Sequence, residues 1–161
     1  RCNSRKEVTM IYFAISSLVV FTAYLLFISI KYKGIESISA SYYALPERYR
    51  WAFTIVLWAF AMPVMIAGEN ALLFFAGAGI CFVGAAAAYK EELTSTVHYV
   101  GAVSAILLGL LYASIYVSLI YLIVWIVLFI IIQRLSGRRA MYWVEVVSYY
   151  VIITSLIISL I

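Results

Sequence analysis

Charge is what this sequence has least of. Only 11% of its 161 residues are Asp, Glu, Lys or Arg, against about 25% in a soluble domain. So few ionised groups cannot cover a water-facing surface, which excludes an ordinary soluble globule and leaves the bilayer as solvent. Histidine is nearly absent too. His98 stands alone, which rules out a haem held by two histidines of this chain and any multi-histidine metal site. The two cysteines, Cys2 in the tail and Cys81 within an apolar run, have no metal spacing and make a mutual disulfide improbable. No Gly-x-Ser-x-Gly, phosphate-binding glycine loop or His-Glu-x-x-His occurs. No cofactor is therefore expected, and nothing requires an enzyme. A basic face interleaved with exposed aromatics is also missing, so nucleic acid is not an expected partner.

Hydrocarbon is what the chain has in abundance: 67% of it is hydrophobic and its mean hydropathy is +1.10. Charge-free runs cover 8–30, 51–67 and 71–88, and a longer one covers 97–132. A single helix over that last run would be about 54 Å long, well beyond a hydrocarbon core of about 30 Å. Two spans with a turn near 112–118 fit better, since Tyr112, Ser114, Tyr116 and Ser118 supply interfacial aromatics and hydroxyls. With 140–161 the pattern predicts an all-α, polytopic transmembrane bundle. It forms one domain over 1–161, with six spans at about 8–30, 51–67, 71–88, 97–114, 117–132 and 140–161. The chain begins with Arg1 rather than Met, as a trimmed or processed chain would. The 8–30 run is too long for a signal-peptide core and is kept as a helix.

Six spans sort the polar segments onto two membrane faces. Lys31, Lys33, Arg48, Arg50, Lys90, Arg134, Arg138 and Arg139 fall on one side, and Arg1, Arg5 and Lys6 on the other. The positive-inside rule then favours an inner (cell) membrane location with cytoplasmic loops and both termini outside. The loop-side face also gathers the candidate ligand-binding residues Ser39, Ser41, Tyr42, Tyr43, Glu47, Lys90, His98 and Glu145. In 37–50, Ser39, Ser41, Tyr42 and Tyr43 are expected to hydrogen-bond inward, making the segment a lid. Interfacial anchoring of the tyrosines is the plainer reading. Glu145 lies within the last span, where an acid needs a partner, and Arg138, Arg139 and Lys90 are the basic residues within reach. Thr94, Ser95 and Thr96 read as a cap to the fourth span, with Glu91 and Glu92 suiting its dipole. His98 is an interfacial histidine on the plain reading. On the sharper one it is a base beside a carboxylate, with a Ser39 or Ser41, His98 and Glu47 set conceivable.

Small residues recur every four positions: Gly77, Cys81 and Ala85 on the third span, then Gly101, Ala105, Gly109 and Ala113 on the fourth. Such stripes let backbones approach closely, and packing of the third span on the fourth is the expectation. A homo-oligomer interface is the alternative. Pro63 is expected to kink the second span.

The "ISASYY" following the first span and the "VHYVGA" opening the fourth carry a resemblance over about 38–113, at Ile38, Ser39, Tyr42, Tyr43, His98, Gly101 and Ala102. The chain is similar there to bacterial six-helix membrane proteins of unknown function related to the Frag/DRAM/Sfk family. The resemblance implies six helices, with a loop and a histidine at one membrane face, and some members are linked to lipid handling. Their termini are drawn as cytoplasmic, opposite to the charge count here. Three classes of function follow. They are binding or sensing of a membrane lipid or other amphipathic ligand through the polar face, an oligomeric pore or effector, and a membrane enzyme using His98 with a nearby carboxylate.

The topology is testable. Single cysteines at Lys33 and Glu69, in a chain without native cysteine, should label from opposite sides of intact cells. Labelling of both from one side would mean an even number of spans between them.

Overall fold

The computed structural model describes residues 2–67, 69–87 and 92–161. Seven α-helices follow one another: α1 Cys2–Lys31, α2 Ala40–Ala44, α3 Trp51–Ala67, α4 Ala71–Ala86, α5 Glu92–Tyr112, α6 Ile120–Leu135 and α7 Ala140–Ser159. No strand occurs among the described residues, so the fold is an all-α bundle. Four stretches are long and apolar enough to cross a membrane: Glu7–Lys31, Glu47–Ile66, Thr96–Val117 and Gly137–Ser159. The other two apolar helices, α4 and α6, have 16 residues each, about 24 Å against a core of about 30 Å.

The long apolar run breaks at a single wide turn. Ala113–Val117 closes a π-helical turn in which Ser118 N–H donates to the Ala113 carbonyl at 2.8 Å. Gly137–Arg139 forms a short 3₁₀ turn before α7. α5 begins at Glu92, so Thr94, Ser95 and Thr96 lie within its first turns and do not cap it, a correction to the sequence reading. A helix can start that early because this polar stretch holds no proline or glycine to stop it.

Neighbours in sequence pack antiparallel, and α7 runs through the middle. It meets α1, α3, α5 and α6. More than half of its apolar window is buried, 56% against 33% for each of the other three long stretches. Its buried serine hydroxyls donate within the helix: Ser148 to the Val144 carbonyl and Ser155 to that of Ile152. A buried polar group costs little only when bonded, and these back-bonds let serines sit in an apolar core. At the centre of the bundle Phe21 of α1, Phe60 of α3 and Tyr149 of α7 form a triangle of rings. Their centroids lie 4.8 to 5.4 Å apart, within the range of favourable aromatic pairing.

Glycines determine how tightly the remaining helices approach. A Cβ on Gly79 would fall 2.5 Å from the Gly101 carbonyl, and one on Gly101 would fall 2.8 Å from that of Gly79. This pair brings α4 and α5 into backbone contact, with Ala105 beside it. The other small residues divide differently from the expected stripes. Gly77 lies against Met65 and the Ala61 carbonyl of α3, at the turn containing Pro63. The Cys81 carbonyl accepts from Trp58 Nε1 at 3.2 Å, and Gly84 lies against Leu57 and Trp58. Gly109 meets Ile152 of α7, and Ala113 is buried beside Val151. Thus the Gly77–Cys81 side of α4 serves α3, and α5 divides its stripe between α4 and α7. One helix in a bundle has two neighbours, so its small residues must serve both.

Gly101→Leu should force α4 from α5. Overpacking of this kind costs about 1–3 kcal/mol, read as a lower unfolding temperature in detergent. Unchanged unfolding would show that the backbone contact contributes nothing.

Candidate functional site

The segment between α1 and α3 is folded onto the loop-side end of the bundle. Ser37 Oγ accepts from the Ala40 N–H at 3.0 Å and so caps α2. Ser39 bonds Ser37 at 3.0 Å and makes no cap itself. Pro46 ends α2 and leads into a 3₁₀ turn, Glu47–Tyr49. Ile38, Ser41 and Leu45 are buried, at 2%, 0% and 5% exposure. Their spacing puts all three on one helical face, directed into the bundle. Ile35 is buried next to them.

Ile38 is the node of the polar contacts. Its N–H donates to Glu145 Oε2 at 2.5 Å, and its carbonyl accepts from the Ser41 hydroxyl at 2.5 Å. Tyr24 of α1 lies 2.6 Å from the same Ser41 oxygen. Because Ser41 gives its one proton to Ile38, Tyr24 is the donor in that pair. The chain Tyr24 to Ser41 to Ile38 to Glu145 therefore joins α1, the loop and α7. A second tie runs through Tyr142, whose N–H donates to the Glu36 carbonyl at 2.9 Å and whose hydroxyl meets Ser29 at 2.8 Å. Glu145 thus takes a backbone amide, not an arginine, as its recorded partner. That corrects the expected pairing with Arg138 or Arg139, and Lys90 lies outside the described residues. A carboxylate near the headgroups can be satisfied by a peptide N–H whenever the chain folds one over it.

The other candidates have different surroundings. Tyr42 packs edge-on against Tyr43 and Phe53, with centroids at 5.2 and 5.8 Å. Tyr43 and Glu47 are exposed. His98 is half-buried on α5, hydrogen-bonds the backbone of Val83 on α4, and meets the ring of Tyr99 edge-on. The structure therefore brings together Ser41 and Glu145, and sets His98 on the α4–α5 seam. No group of three His, Cys, Asp or Glu side chains able to hold a metal occurs among the described residues. With one carboxylate engaged by an amide and the hydroxyls bonded to each other, this arrangement fastens a loop.

Sequence reasoning missed the plug formed by Ile35, Ile38 and Leu45. Its signal was present in the i, i+3, i+7 spacing of 38, 41 and 45, obscured by the polar residues around it.

The open recess lies elsewhere, between α6 and α7. It measures about 330 Å³ and is lined by Ile120, Tyr121, Val124 and Leu128 of α6 and by Val147, Tyr150, Val151 and Thr154 of α7. α6 contains no Gly, Ala, Ser or Thr, and none of its residues is buried. Its bulky side chains leave the recess beside its contact with α7. Tyr121 and Trp125 pack against Val147 and Val151 of α7, and the Trp125 indole N–H donates to Ser148 at 2.8 Å. Tyr150 is turned to α1, its hydroxyl 2.7 Å from that of Thr22.

No protein-family model, curated protein or solved structure matches the chain.

Removing the carboxylate should release the loop. Glu145→Ala leaves the Ile38 N–H unpaired, at a cost of about 1–3 kcal/mol, while Glu145→Gln keeps an acceptor and most of the stability. His98→Ala should add to Glu145→Ala without coupling, because the two side chains share no recorded partner. Thermal unfolding of the single and double variants measures both. Strong non-additivity would mean that the α5 seam and the loop form one unit.

Proposed function

We propose that this membrane protein spans the bilayer six times and binds a lipid or similar amphipathic molecule, without catalysing a reaction on it. The recess between α6 and α7 carries the reading. Its volume of about 330 Å³ stands at the lower end of small-molecule sites, roughly 300–1,000 Å³, and its lining is almost wholly apolar. It opens sideways on the outer flank of the bundle, where an acyl chain arrives from the bilayer. Tyr121 stands at its end near the π turn, at a depth where tyrosine meets headgroups. Because Ser41 and Glu145 are engaged in holding the loop, the acyl recess is a stronger ligand site than the loop-side polar face.

The six-span topology has further support in the alternation of helix directions and in the cations at one set of loops. With α4 and α6 at 16 residues each, the bilayer thins slightly around them or flanking residues complete the crossing. Both termini then lie outside by the charge count. The resemblance to the Frag/DRAM/Sfk-related proteins, which rests on seven residues, points to the same class through lipid handling.

An oligomeric pore is the second reading, and the glycine contacts weigh against it. Gly77, Gly79, Gly84, Gly101 and Gly109 all meet neighbouring helices of the same chain, which leaves these residues unavailable for another subunit.

Val124→Trp places an indole in the recess from the exposed side of α6. Native mass spectrometry of the purified protein should then show loss of retained lipid. Val127→Trp, on the same helix but outside the recess lining, should retain it. Equal retention in both variants would remove the recess as a lipid site.

A further inference from the structure

Two arginines occupy positions that charge alone disfavours. Arg50 immediately precedes α3, and Arg139 immediately precedes α7. A helix start carries partial positive charge from its unpaired N–H groups, so a cation there is repelled and an anion attracted. Neither arginine has a carboxylate partner among the described residues. Glu145, the nearest acid in the polar chain described above, takes the Ile38 N–H. Both Nε atoms are buried without a hydrogen-bond partner. An arginine Nε sealed from water without an acceptor leaves a strong donor unsatisfied.

Both guanidinium groups are nonetheless held in place. Arg50 Cζ lies 5.4 Å from the centroid of Tyr42, and Arg139 Cζ lies 5.2 Å from that of Tyr142 and 5.7 Å from that of Trp143. Those rings are fixed in turn: Tyr42 by Phe53, and Tyr142 by Ser29 and the Glu36 carbonyl. Stacking fixes the plane of a guanidinium and leaves its N–H edges free. What results is a pair of positioned guanidinium groups, each with an unpartnered Nε, at the loop-side ends of two helices that touch each other, α3 and α7.

We propose that Arg50 and Arg139 bind the phosphate groups of anionic phospholipid at the loop-side membrane surface. The phosphate oxygens match the planar fork and accept two parallel N–H bonds, as carboxylates do. The anion meets the outer N–H edge of each part-buried guanidinium and complements the helix starts behind it. The depth argues for lipid as the source, because both residues stand where a long apolar helix leaves the hydrocarbon. Arg134 is the internal contrast: it lies on the same face near the end of α6, is exposed, and has no recorded aromatic ring over it. The site does not depend on the recess between α6 and α7, which lies in the opposite half of the bundle.

Native mass spectrometry of the full chain, loaded with mixed phosphatidylglycerol and phosphatidylcholine, tests it. The unaltered protein should retain phosphatidylglycerol preferentially, and loss of one charge-assisted fork should weaken that retention about tenfold. Arg50→Gln with Arg139→Gln should bring the two lipids close to parity, while Arg134→Gln should leave the preference intact. Arg139→Lys keeps the charge and removes the planar fork, so it should fold and lose most of the preference contributed by that residue. An equal loss in Arg134→Gln would reduce the effect to surface charge and overturn the site. So would full retention in Arg139→Lys, or no preference in the unaltered protein. Thermal stabilisation by inorganic phosphate in the absence of lipid, with no phosphatidylglycerol preference, would overturn lipid as the source.

Discussion

Lipid tails are as apolar as the side chains that face them, so burying a leucine between two transmembrane helices is worth little. Helices must instead be joined by close van der Waals contact or by hydrogen bonds. Both devices are visible, and they act in different places. Where glycine is available the backbones touch, as at Gly79 and Gly101 between α4 and α5. Where it is not, polar side chains bridge the gap: Thr22 to Tyr150, Ser29 to Tyr142, and Trp125 to Ser148. α7 occupies the centre because its serines are satisfied within their own helix while its tyrosines reach outward to α1.

The same constraint accounts for the recess. α6 is built only from large residues, none of them buried, and it packs along α7 through side chains such as Tyr121 and Trp125. The space left on one side of that contact is apolar and open at the flank of α6. Tight packing on the α3–α4–α5 side and loose packing on the α6 side therefore come from one compositional difference, the presence or absence of small residues. A lipid-binding reading follows from the loose side. An assembly of subunits would call on the glycines of the tight side, which are already occupied within the chain.

The loop between α1 and α3 follows a third variant of this logic. Outside the hydrocarbon an unpaired amide could be met by water, yet Ile38 is nearly fully buried and its N–H meets Glu145. The Glu145 carboxylate and Tyr142 N–H of α7 and the Tyr24 hydroxyl of α1 hold it in place, which makes the loop a fixed part of the surface. That fixed surface is what holds Tyr42 and Tyr142 beneath their arginines.

Helix existence was written in the sequence because uninterrupted hydrocarbon runs have few other solutions in a bilayer, where every backbone group must be bonded internally. The break near 112–118 was legible for the same reason, since its tyrosines and serines mark an interface. Gly79, by contrast, stood outside the four-residue stripes and proved to lie directly against the Gly101 carbonyl of α5. Spacing shows which residues share a helix face and leaves open which neighbour that face meets. The partner of Glu145 was likewise invisible, because a backbone N–H has no signature in side-chain identity. By itself the sequence determined the helices and their order, both consequences of local composition against a fixed solvent. Only the tertiary structure decided which helix lies at the centre, where the recess opens and which arginine Nε atoms are buried without a partner, since these depend on contacts between residues far apart in the chain.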